Sequence, residues 1–114
     1  MDEMTYGKLL KELRRQKGVA QRDLAAAVGV DFSYISKIEN DRLQPPSADT
    51  TIKICEVLNV PSEVLLSLSG KVSSEIRNTI TSSQSAIKFL NAVKEMQLTD
   101  EEWDKLTTKL KKLR

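Results

Sequence analysis

The stretch from Gln21 to Arg42, QRDLAAAVGVDFSYISKIENDR, constrains the fold more than any other part of the chain. It reads as two short helices joined by a tight turn. Leu24, Ala25 and Val28 give the first helix an apolar stripe at helical spacing, and Ala27 is small. Ile35 and Ile38 do the same for the second. Gly29 falls where the first helix must stop and the chain reverse, a place for positive φ. Asp31 is expected to accept backbone N–H bonds at the start of the second helix. Phe32, Ser33, Ser36, Lys37 and Asn40 are left on that helix's outer face. A helix with a buried back and a donor-bearing front, held by a short turn, has the shape that a DNA major groove admits.

The flanks extend this pair into a small helical domain. Tyr6, Leu9, Leu10 and Leu13 share one face of a helix beginning near Thr5, and Gly18 ends it. Arg14 faces inward or along the same seam. After Arg42 comes LQPPSADT, a loop broken by Pro45 and Pro46. Thr50 to Leu58 reads as a fourth helix, with Ile52, Cys55 and Leu58 on one face and Ile54 nearby. Pro61 suits the first turn of a fifth. Val64, Leu65 and Leu68 are expected to close the core.

Composition shifts between Ser67 and Ser85, where Ser and Thr dominate and Gly70 stands near the start. This reads as a boundary or linker, with Val72, Ile76 and Ile80 spaced so that part of it can be helical. Beyond it, Ala86, Phe89, Leu90, Val93 and Met96 form one apolar helical stripe. Thr99 and Glu102 make a capping-box pattern. Trp103, Leu106, Leu110 and Leu113 form a second stripe. Two such helices with a short joint make a hook too small to bury both stripes alone. Its apolar face has three outlets: its own domain, a twin hook in a second chain, or a similar hook from another protein. The expected divisions are residues 1–68, 69–84 and 85–114.

Composition narrows the chemistry. The 114 residues contain no His and one Cys, so a structural zinc site and a His general base are not expected, nor is any cofactor. No Gly-rich phosphate loop, nucleophile elbow or HExxH is present, and an enzyme is not expected. Cys55 reads as a small buried hydrophobe, with a redox sensor as the alternative. A lone cysteine fits a reducing cytoplasm. The N-terminal MDEMTYGK is acidic with no apolar h-region, so it does not read as a signal peptide. No run is apolar enough to span a membrane. Net charge is +2, yet residues 1–68 carry nine basic and ten acidic side chains. A near-neutral head argues against indiscriminate DNA binding.

Arg14, Gly18, Gln21 with Leu24-Ala25, and Gly29-Val30 form a pattern with Tyr34-Ile35-Ser36-Lys37-Ile38-Glu39-Asn40. It continues through Pro46-Ser47 and Leu58-Asn59-Val60-Pro61. From about Thr5 to Leu68 the chain resembles the helix-turn-helix domain of the phage repressor and Cro family, also called the xenobiotic-response-element family. The resemblance implies an all-α fold: a five-helix repressor-type helix-turn-helix domain followed by a C-terminal two-helix hook. It implies an ion pair between Arg14 and Glu39, where two solvated charges are the usual alternative. It implies base contacts from Phe32, Ser33 and Lys37, with Ser36 at the edge of reach. The other reading of Phe32 is a ring folded onto Tyr34 or Leu43. Phosphate contacts fall to Gln21, Arg22, Asn40 and Arg42.

Two positions depart from the family pattern. Ala20 stands where a Ser or Thr N-cap is usual, and Asp41 where Gly is usual. The tail looks like the helical hook of short bacterial repressors of sporulation and biofilm genes, which dimerises the repressor and is the target of a small antirepressor. The expectation is a DNA-binding regulator acting as a homodimeric repressor on an inverted repeat of double-stranded DNA. Phe89, Leu90, Val93, Met96, Trp103, Leu106, Leu110 and Leu113 would form the dimer contact, which is also where a protein antagonist or a toxin would bind. The alternatives are an antitoxin, and an adaptor that no longer reads DNA.

Overall fold

The computed structural model describes residues 3–114. Among these it has eight helices and no strand: α1 (Tyr6–Gln16), α2 (Gln21–Val28), α3 (Phe32–Glu39), α4 (Ala48–Leu58), α5 (Glu63–Ser69), α6 (Ser74–Thr81), α7 (Gln84–Met96) and α8 (Asp100–Lys111). The chain divides into two compact units, Met1–Ser74 and Glu75–Arg114.

In the first unit α1 packs on α3 and α5, α2 on α3 and α4, and α4 on α5. Leu10, Leu24, Ile35, Ile54, Leu58 and Leu65 are fully buried at the shared centre. Each such side chain contributes about 1.5–3 kcal/mol relative to exposure. Leu9, Leu13, Val19, Val30, Tyr34 and Val60 pack around them, half-buried. Buried Cys55 joins this core, and burial raises its thiol pKa. The phenol of Tyr6 is buried with them and its Oη lies 2.8 Å from Oγ1 of Thr51. Desolvation lifts its pKa to about 12, against a smaller lowering by the Thr51 hydrogen bond.

Local chemistry sets the element ends. Thr5 caps α1 by accepting the Lys8 N–H, and Ser47 caps α4 by accepting that of Thr50. Gly29 closes α2 at φ 89°, where its N–H reaches the Ala25 carbonyl at 2.8 Å. Asn59 closes α4 at φ 54°, a conformation that its short amide tolerates.

Several sequence expectations need correction. The fourth helix starts at Ala48, two residues before Thr50, because Ser47 is a working cap. Its buried stripe is Thr51, Ile54, Cys55 and Leu58, the i, i+3, i+4, i+7 set, while Ile52 is half-buried. Pro61 precedes the fifth helix, whose N-cap is Ser62. Of the three apolar residues expected to close the core, Leu65 alone is buried: Val64 and Leu68 lie on the outer side of this short helix and are exposed.

In the second unit α6, α7 and α8 follow one another. Ser83 caps α7 through the Ala86 N–H. Thr99 and Glu102 form a complete capping box at α8, with both reciprocal bonds present. Gln97 turns the chain between them at φ 49°. No helix among the described residues is long and apolar enough to cross a membrane.

Candidate nucleic-acid interface

Helix α3 is anchored from behind by Ile35 and Ile38, each almost fully buried. With its back fixed, helical geometry turns Phe32, Ser33 and Lys37 to solvent and leaves Ser36 half-buried. These are the four side chains that the sequence places at base edges, and they share one outward face. Lys37 supplies a charged donor, Ser33 and Ser36 hydroxyls, and Phe32 an apolar ring that is 42% exposed.

The ring of Phe32 carries a cation on its face. The guanidinium carbon of Arg22 lies 5.0 Å from the ring centroid, a cation–π contact between the first turns of α2 and α3. One of the expected phosphate ligands and one of the expected base readers are therefore neighbours.

The end of α3 is tied to α1 by Glu39 and Arg14. Nε of Arg14 donates to Oε2 at 2.6 Å and Nη2 to Oε1 at 2.9 Å, a bidentate pair. Nη1 of Arg14 donates to the Val19 carbonyl at 2.8 Å, fixing the segment that leads into α2. The hydrogen bond to Glu39 raises the arginine pKa further. Gln21 completes the cluster, its Nε2 donating to Oε1 of Glu39 at 2.9 Å. The side chain expected at a phosphate thus braces the end of α3.

At the N-terminus of α2, Ala20 holds the N-cap position with φ −73° and ψ 153° and makes no side-chain cap bond. Backbone N–H groups of that first turn are thereby left uncapped by side chains at the positive end of the helix. Asp31, expected to cap α3, makes no side-chain cap bond either. Its backbone carbonyl begins the helix by accepting from Tyr34 and Ile35. The carboxylate stays exposed beside the outward face of α3. Asn40, just past α3, donates from Nδ2 to the Ser36 carbonyl at 2.9 Å. Arg42 is exposed, and its backbone N–H closes on the Lys37 carbonyl.

Sequence reasoning missed the cluster beneath this end of α3. Asp41 adopts φ 58°, and its carboxylate accepts the Thr5 hydroxyl at 2.8 and 3.0 Å. Its charge is thereby drawn to the N-terminus of α1, where the helix dipole favours an anion. Gly7 lies against the same place: a Cβ there would collide with the Ile38 carbonyl oxygen and with Oδ1 of Asp41. A glycine inside an otherwise periodic helix is the signal that would have found this close approach.

The second unit presents an apolar surface. Phe89, Leu90, Met96, Trp103, Leu110 and Leu113 are exposed, and Val93 and Leu106 half-buried. A cleft of about 270 Å³ lies along the α7–α8 hairpin, lined by Phe89, Val93, Met96, Leu98 and Leu106. Leu113 stands just past the end of α8. Among the described residues no group of His, Cys, Asp and Glu can hold a metal ion.

Comparison with known proteins agrees with this geometry. Residues 10–65 match the helix-turn-helix family. The chain is 36% identical to the HTH-type transcriptional regulator RghRB of Bacillus subtilis over 87 residues, which is 74% of this chain and 63% of that protein. It is 32% identical to the HTH-type transcriptional regulator SinR of B. subtilis over 93 residues, 73% of this chain and 84% of SinR. A crystal structure of SinR, described as the master regulator for biofilm formation, in complex with DNA superposes with a TM-score of 0.51 at 35% identity, covering 54% of this chain and 98% of that one. The SinR–SinI protein complex superposes with a TM-score of 0.51 at 28% identity, covering 82% of this chain and 97% of that one. The chain belongs to the Cro/C1-type helix-turn-helix family of DNA-binding transcriptional regulators.

Proposed function

We propose that the chain is a repressor that binds an inverted-repeat operator as a homodimer, with α3 reading bases and the C-terminal hook holding two copies together. The observation that carries this reading is the pairing of two incomplete surfaces in one chain. The outward face of α3 offers four side chains, enough for only a few base pairs. From Ile87 to Leu113 the α7–α8 hairpin leaves seven large apolar side chains exposed, a surface in need of a partner. A second copy satisfies both: it covers the hairpin and doubles the base contacts across a two-fold axis.

In this reading Lys37 donates to guanine O6 or N7, Phe32 meets a thymine methyl, and Ser33 and Ser36 add weakly discriminating hydroxyls. Arg22, Asn40 and Arg42 take phosphates, with Gln21 and the uncapped N–H groups of α2. Arg22 lying over Phe32 supports this reading, since the contact steadies the ring on the outward face. The hook is also the surface for a protein antagonist. Likeness to SinR, solved as a complex with SinI, supports that second use.

Selection from a random duplex pool by the purified protein tests the proposal. An enriched inverted repeat is the expected result. A single unpaired half-site would leave the heads acting alone, and no enrichment from folded protein would favour the antitoxin or adaptor reading.

A further inference from the structure

The stretch from the end of α5 to the start of α6, SLSGKVSS, has the composition of a slack tether, yet the structure fastens it at three successive points. Gly70 turns the chain at φ 68°. Nζ of Lys71 then donates to the Pro45 carbonyl at 2.8 Å and the Pro46 carbonyl at 3.4 Å. Ser73 is buried at 5% exposure. Ser74 donates its N–H to Oδ1 of Asp49 at 3.1 Å and its hydroxyl to Oδ2 of the same carboxylate. The partners all lie between Pro45 and Asp49, the loop that follows Arg42 and the first turn of α4. The last residues of the reading head are therefore strapped to the loop that leaves the recognition helix.

We propose that this strap sets the half-site spacing that the dimer accepts, with Lys71, Ser74 and Asp49 as positioning residues that touch no DNA. The inference rests on the dimeric reading above. Two heads joined through their tails behave as linked modules, and the slack in the connection decides which separations both can engage at once. Freed, residues 70–74 would add up to about 17 Å of reach per head. Over two heads that is about 34 Å, one turn of DNA. Strapped, they add none, and the exit point is fixed on the head. The same half-site sequence is read in both states; only the tolerance to spacing changes.

A spacer library tests this with the full-length protein. Duplexes carry the selected half-site as an inverted repeat, separated by every spacer length across about one helical turn. The parent protein is expected to prefer one spacing by about tenfold over its neighbours, and the double variant Lys71→Met with Asp49→Asn to flatten that preference to about twofold. The half-site motif stays the same, and Lys71→Arg keeps the sharp preference. Circular dichroism melts check that each variant is folded, and Lys71→Met alone is the fallback if the double variant is not. A double variant as selective for spacing as the parent overturns the strap while leaving the dimeric reading intact. If the parent protein selects no inverted repeat, the dimeric reading fails first and the strap has nothing to space.

Discussion

Arg14 and Glu39, 25 residues apart, meet in a buried bidentate pair in which Nε lies 2.6 Å from Oε2. The Glu39 side chain is 1% exposed and that of Arg14 10%. Neither charge has water to fall back on, so each depends on the other. Removing one partner, as in Arg14→Met or Glu39→Leu, is expected to cost about 3–5 kcal/mol, because a bare charge stays buried. The double variant Arg14→Met with Glu39→Leu is expected to lose much less than the two single losses combined. Urea unfolding of all four proteins measures the coupling, and additive losses would show that the charges act independently.

Gly7 carries no side chain because α1 and the end of α3 touch there. Gly7→Ala would drive a methyl into the Ile38 carbonyl and Asp41 carboxylate, which are backbone and a residue already tied to Thr5. A loss of about 1–3 kcal/mol is expected, although alanine is the better helix former. A thermal melt reads the sign. A rise in Tm would mean that the two helices can part without cost.

Lys37 and Arg42 should separate cleanly in DNA binding. Lys37→Ala is expected to lose about 1–3 kcal/mol and to relax specificity at one base position, while Arg42→Ala weakens all sequences alike and lowers the salt slope by about 1. Titration of cognate and base-changed duplexes at several salt concentrations distinguishes the two. Equal losses on every duplex for Lys37→Ala would move it to the phosphate set.

Stability of the head should fall at alkaline pH. Burial holds the Cys55 thiol above its ordinary pKa of 9.0 and the Tyr6 phenol at about 12, above its ordinary 10.0. For both groups the folded state keeps its proton longer than the unfolded state. Their contribution is complete below the unfolded pKa and is lost as pH rises toward the folded one. Stability should therefore be level from neutral pH to about 9, then fall. Cys55→Ala should remove the earlier part of that fall. Urea midpoints across this range, with and without the substitution, are the measurement.

The hook can be tested without touching the head. Leu110 is 66% exposed, so Leu110→Glu should leave the hairpin folded. It is expected to shift the protein to monomer in sedimentation and to weaken operator binding by about tenfold or more through lost avidity. Unchanged sedimentation would remove Leu110 from the contact.

Much of the fold was legible in the sequence because it rests on rules that act within a few residues. The stripes of α2 and α3, the reversal at Gly29 and the capping box at Thr99 each depend on helical spacing or on one local hydrogen bond. The outward set Phe32, Ser33, Ser36 and Lys37 follows from the same arithmetic once Ile35 and Ile38 are known to face in. Val64 and Leu68 escaped it, since an apolar residue type does not say which side of a short helix the rest of the domain covers. Pairings across the domain were decided only by tertiary structure. Thr5 finds Asp41 36 residues away, Gln21 turns to Glu39, and Lys71 reaches back to Pro45. Each depends on how one helix crosses another, and a shift of about an ångström breaks a hydrogen bond while leaving every local pattern intact. Sequence alone therefore determined the elements and the outward face of α3. Packing decided what braces that face and where the chain leaves it.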